Sequence, residues 1–76
     1  MEDFERARQL VSEGKIVPLD TILNRAEIKP GWHLLEVEFE RDDGQWIYEL
    51  EVLKEDGEVI ELQYDAETGQ YLGIED

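Results

Sequence analysis

Cysteine is absent from this chain, which rules out disulfides and thiolate metal sites and leaves the redox compartment open. Basic residues are scarce. Seven Lys and Arg stand against 21 Asp and Glu, for a net charge of −14. That balance argues against nucleic-acid binding, because phosphate contacts need Lys and Arg. It disfavours anionic membrane surfaces for the same reason. No apolar run approaches the roughly 20 residues that span a bilayer, so no membrane insertion is expected. Met1-Glu2-Asp3 is acidic where a secretory signal would be basic and then apolar. Two compartments fit: the cytoplasm, or an exported protein whose signal has been removed.

The side chains of familiar catalysis are also thin on the ground. Ser12 is the one serine and His33 the one histidine. Ser12 falls on an expected helix and His33 at a strand start, and nothing in the layout joins them into a triad. No glycine-rich loop precedes a helix in phosphate-binding form. The acidic loops Asp42-Asp43-Gly44, Glu55-Asp56-Gly57 and Asp65-Ala66-Glu67 lack the spacing of a calcium loop with its terminal bidentate Glu. They read as turns, which favour Asp and Gly. The chain is therefore read as non-enzymatic, with no cofactor and no dedicated metal site.

What is present is a clear change of period within a single domain spanning 1–76. From Asp3 to Glu13, Phe4, Ala7, Leu10 and Val11 recur at helical spacing, with Asp3 as N-cap and Gly14 as stop. A second helix is expected from about Pro18, with Leu19, Ile22, Leu23 and Ala26 as its apolar stripe and Lys29-Pro30-Gly31 as its end. From His33 the period becomes two. Leu35, Val37 and Phe39 alternate with Glu; so do Tyr48, Leu50 and Val52; Ile60, Leu62 and Tyr64 alternate with Glu61 and Gln63. The pattern predicts an α+β fold, with two N-terminal helices packed on one face of a three- or four-stranded antiparallel meander.

The turns fix a register. A two-residue turn at Asp43-Gly44 pairs Phe39 with Tyr48, Val37 with Leu50 and Leu35 with Val52. A second two-residue turn at Asp56-Gly57 would set Val52 against Glu61. A three-residue loop, Glu55-Asp56-Gly57, instead pairs Val52 with Ile60, Leu50 with Leu62 and Tyr48 with Tyr64. A short fourth strand after Gly69 is expected to place Leu72 beside Leu62 and Ile74 beside Ile60. Trp46 and Tyr48 fall on the inner face, with Trp46 near the sheet's end.

On the outer face this register aligns Glu36, Glu51 and Glu61 in one row, and Glu38, Glu49 and Gln63 in the next. Like charges directly opposite cost a sheet up to about a kcal/mol per pair. At one end, Leu34, Leu53 and Val59 are expected side by side, an apolar trio of the kind that marks an interaction surface. These six residues, Leu34, Leu53, Val59, Glu36, Glu51 and Glu61, form the candidate surface for a protein partner or a weak homodimer. Two other readings are a surface that responds to divalent cations and a cytoplasmic acidic decoy of a basic protein.

The run Gly44-Gln45-Trp46-Ile47-Tyr48-Glu49-Leu50-Glu51-Val52, then Asp56-Gly57, then Tyr64-Asp65-Ala66-Glu67-Thr68-Gly69 resembles the PepSY domain family. Ala7 to Val11, Ile16-Val17-Pro18-Leu19 and Ile22-Leu23 resemble small bacterial PepSY-like proteins, so the resemblance covers nearly the whole chain. It implies a helix-plus-antiparallel-sheet unit without catalytic residues, as found in propeptides of thermolysin-type metallopeptidases and in envelope proteins. The expected role is then a periplasmic or secreted interaction module that modulates a peptidase or a sensor. These 76 residues carry no peptidase domain, so the resemblance implies action on a separate partner.

Overall fold

The computed structural model describes residues 2–26 and 28–75, and it opens with the two expected helices. Helix α1 (Glu2–Ser12) buries Ala7 and Leu10 and half-buries Phe4 and Val11. Its end is a Schellman motif: Lys15 N–H donates to the Leu10 carbonyl at 2.9 Å and Gly14 N–H to Val11 at 3.0 Å. Gly14 takes the left-handed φ of 75° that this motif requires. The side chain of Asp3, the expected cap, lies outside the described residues.

Helix α2 (Leu19–Ala26) buries Ile22 completely and half-buries Leu19, Leu23 and Ala26. It ends at Ala26, the last residue of its expected stripe, ahead of Lys29-Pro30-Gly31. Lys29 to Trp32 form a type II turn, closed by Trp32 N–H on the Lys29 carbonyl at 3.0 Å with Gly31 at φ 87°. Pro30 bars its predecessor from helical geometry.

Strands β1 (His33–Asp42), β2 (Gln45–Leu53), β3 (Val59–Asp65) and β4 (Tyr71–Glu75) form one antiparallel sheet in chain order, an ααββββ arrangement of the α+β class. The first hairpin turns on Asp43 (φ 52°) and Gly44 (φ 78°), both left-handed as a type I′ turn demands. Phe39 meets Tyr48 and Val37 meets Leu50, as expected. In the second hairpin Gly57 N–H donates to Lys54 at 3.0 Å and Lys54 N–H to Glu58 at 2.8 Å, with Gly57 at φ 92°. This is the three-residue loop, and it gives the expected pairs Val52–Ile60, Leu50–Leu62 and Tyr48–Tyr64.

Two register expectations fail, each at a bulge. A bulge between Leu34 and Glu36 sets Leu34, not Leu35, opposite Val52 and leaves Leu35 half exposed. In β4, Tyr71 meets Tyr64 and Ile74 meets Leu62, so Leu72 does not pair with Leu62 nor Ile74 with Ile60. The turn accounts for one residue of the shift: Asp65 N–H donates to Gln70 at 2.8 Å and Gly69 N–H to Asp65 at 2.7 Å, so Gln70 pairs with Asp65 rather than with Tyr64. A bulge at Leu72 supplies the second.

The helices cover the face formed by Phe39, Tyr48, Leu50, Val52, Ile60, Leu62 and Tyr64. Ile16, in the linker between the helices, joins this core. The linker is stitched down by polar contacts. Val17 N–H donates to the Ala66 carbonyl and Ala66 N–H to the Trp46 carbonyl, both at 2.8 Å. Tyr48 Oη donates to the Val17 carbonyl at 3.1 Å, and burial raises its phenol pKa.

Candidate functional site

The strand pairing carries rows of side chains across the outer face. Glu36, Glu51, Glu61 and Glu75 form one row through all four strands. Glu38, Glu49 and Gln63 form the next, and Glu40, Ile47 and Asp65 the third. At the apolar end the structure brings Leu53 and Val59 together, with His33 completing their row. The Leu35 bulge places Leu34 one pair away, opposite Val52. Leu34 and Val59 are exposed, at 39% and 42%.

The centre of this face is more enclosed than alternation implies. Ile47 is 7% exposed and Glu49 8%, because both sit on a central strand between long neighbours. The signal was present in the sequence: Glu49 is the middle member of a middle row, whereas the carboxylates of β1 stand on an edge. Gln63 relieves the crowding. Its side-chain Nε2 donates to Glu49 Oε2 at 2.9 Å and to Glu75 Oε1 at 3.0 Å. Gln45 Nε2 donates to Asp65 Oδ2 at 3.1 Å along the same face.

Electrostatics follow from the crowding. The Glu38 carboxyl is pushed up to about 7, first by lost hydration and then by the Glu36 and Glu49 carboxylates and a hydrogen bond shared with Glu49. Glu40 is raised by lost hydration and by Glu49. Glu61 is raised chiefly by the charge of Glu49, with lost hydration next. Carboxylate oxygens converge in two groups that share one member: Glu38, Glu40 and Glu49, and Glu49, Glu61 and Glu75, each within 4.8 Å. Such a set can hold a shared proton, and its hard oxygen donors suit calcium rather than zinc.

The sparse catalytic side chains take structural posts. Ser12 Oγ donates to the Gln9 carbonyl at 2.8 Å. His33 lies exposed at the start of β1, opposite Leu53. Trp46 is half covered: it stacks on Phe39 at 4.9 Å and 5°, with the Arg41 guanidinium 4.6 Å from its ring centroid.

A family model described as peptidase propeptide and YPEB domain, PepSY, matches residues 16–75. The chain belongs to the PepSY family. The match begins after α1, so the likeness read at Ala7 to Val11 lies outside it. No curated protein and no solved structure matches the chain. Domains of this family are generally propeptide-like regulatory or inhibitory units, typically extracellular or periplasmic. Among the described residues no helix is long and apolar enough to cross a membrane.

Proposed function

We propose that this chain is a non-catalytic envelope module, periplasmic or secreted, that binds a peptidase or sensor and modulates it. The working surface is the outer sheet face: Glu36, Glu51 and Glu61 as the charged row, with Leu53 and Val59 as the apolar end, while Leu34, paired with the core residue Val52, turns to the other face and drops out of the expected trio. The observation that carries this reading is the unbroken carboxylate row beside the Leu53–Val59 pair, in which Leu53 is half-buried and Val59 exposed. Opposed like charges destabilise a sheet, and a basic partner surface relieves that repulsion. The decisive experiment is capture from envelope extract with wild type, Leu53→Glu and Glu51→Lys, followed by assay of the purified partner. Retention of a peptidase or sensor by wild type alone, with altered activity, supports the reading. Equal retention by both variants, or retention of nothing, sinks it.

A second reading rests on the convergence around Glu49. Two carboxylate triads sharing one residue favour a surface that responds to divalent cations. Calcium titration followed by amide NMR separates the two. Saturable shifts confined to β1–β4 around Glu49 support cation binding; diffuse shifts abolished by moderate salt reject it.

A further inference from the structure

On the opposite side of the sheet, a groove of about 490 Å³ opens between the C-terminal end of α2 and β4. Its floor is aromatic and aliphatic: Trp32, Tyr64, Tyr71 and Leu62. Its rim is basic, from Arg25 and Lys29, and among the described residues no carboxylate lines it. In a chain with 21 acids against seven bases, such a lining is a cationic island. The Tyr64 and Tyr71 rings lie 5.3 Å apart, and Lys29 Nζ stands 5.3 Å from the Trp32 ring centroid. Tyr71 remains 48% exposed, and Ile74 beyond it 57%.

The rim is anchored rather than loose. Arg25 Nη1 donates to the Thr68 carbonyl at 3.2 Å, and a Cβ on Gly69 would lie 2.5 Å from that nitrogen. Gly69 is thus the residue that lets the guanidinium lie against the turn. The bond to Thr68 uses one N–H of the fork, and the remaining donors suit a carboxylate.

We propose that this groove binds the carboxy terminus of a peptide whose last residue is large and apolar. The side chain lies on Trp32 and Tyr71, and the α-carboxylate meets Arg25 and Lys29. A C-terminal residue carries its side chain and its carboxylate on one Cα, so both enter the same short groove. An internal acidic residue next to an apolar one does not, because neighbours in an extended chain point to opposite faces. The volume suits one large side chain and a short stretch of backbone. Backbone N–H groups add little, since Gly69 N–H already donates to Asp65 and Gln70 N–H to Thr68 Oγ1. The proposed site lies on the helix-covered side, apart from the carboxylate face, and stands whether or not the chain regulates a peptidase.

The test uses three blocked tetrapeptides titrated into the full chain and followed by amide and indole NMR. One ends in Phe with a free carboxylate, one is the same peptide amidated, and one carries Glu-Phe internally with both ends capped. The free-carboxylate peptide is expected to give saturable shifts at the Trp32 indole, Gly69, Gln70 and Tyr71. Amidation is expected to weaken it at least about fivefold, the scale of losing an exposed charge pair. Arg25→Gln and Lys29→Glu are each expected to do the same. Lys29→Glu guards against a folding artefact, because Lys29 is exposed and leaves the Thr68 contact intact. Equal binding by the amidated or internal peptide overturns the proposal, as do shifts that map outside the groove or variants that bind like wild type.

Discussion

Gln63 and Glu49 face one another across β3 and β2, and the amide of the first is the hydrogen-bond donor to the carboxylate of the second. Glu49 is nearly enclosed, and across β1 its partner in the register is another carboxylate, Glu38. Replacing Gln63 by Glu removes the donor and adds a like charge. Loss of a buried hydrogen bond to a carboxylate costs about 1–3 kcal/mol. The Gln63→Glu variant is expected to unfold at lower urea at pH 8 by that margin, with the deficit shrinking toward pH 5. A urea midpoint unchanged at pH 8 would contradict it.

The carboxylate face also sets a pH profile. Glu38 titrates near 7 in the folded chain against 4.5 for a free Glu, and Glu40 and Glu61 are raised as well. The folded state then binds more protons than the unfolded state between those values, so stability falls as pH rises through them. The contribution is complete below about pH 4.5 and gone above about pH 7. Thermal unfolding at low salt should show a higher Tm at pH 5 than at pH 8. Glu38→Gln should flatten that slope; an unaltered slope would place the linked protons elsewhere.

Gly69→Ala tests the Arg25 anchor. The φ of 81° strains any side chain, and the added Cβ meets the guanidinium. Strain of this kind costs about 1–3 kcal/mol. Combining it with Arg25→Ala should recover part of the loss, because the second substitution removes the clash and leaves only the backbone strain. A double-mutant cycle from urea melts reads the coupling. Strict additivity would mean that the two residues do not compete for the same space.

Tyr48→Phe removes the hydroxyl that joins the sheet to the linker carbonyl of Val17 while keeping the ring in the core. The expected loss is about 0.5–1.5 kcal/mol. Faster hydrogen exchange is expected at the Val17 amide than at Leu50. Leu50→Ala, by contrast, empties a fully buried position and should cost about 2–5 kcal/mol.

Alternation and turn chemistry carried most of the architecture. Asp43-Gly44 and the loop ending in Gly57 each admit one apolar-to-apolar register, and both form as read. The failures lie where an extra residue is absorbed without a marker. Leu35 and Leu72 look like ordinary members of an apolar alternation, and each sits at a bulge. The candidate surface was legible as rows because rows follow from register. Leu34 left its row for the same reason: one bulge moves every residue behind it. The enclosure of Glu49 follows from its central place in that register, whereas the cationic groove depends on packing between distant segments, Arg25 against Thr68 above all, and periodicity does not encode that.

Ala66 is the point where three segments share a backbone. It accepts from Val17 and donates to Trp46 while being fully buried. A Cβ added at Gly44 or Gly57 would meet nothing within 4 Å. The three turns of the meander therefore tolerate extra sequence very differently. A tag, a fluorophore or a grafted loop belongs at Asp43-Gly44 or Asp56-Gly57. The same insertion between Asp65 and Gly69 would unseat the helix linker and the start of β2 together, so this turn holds its length.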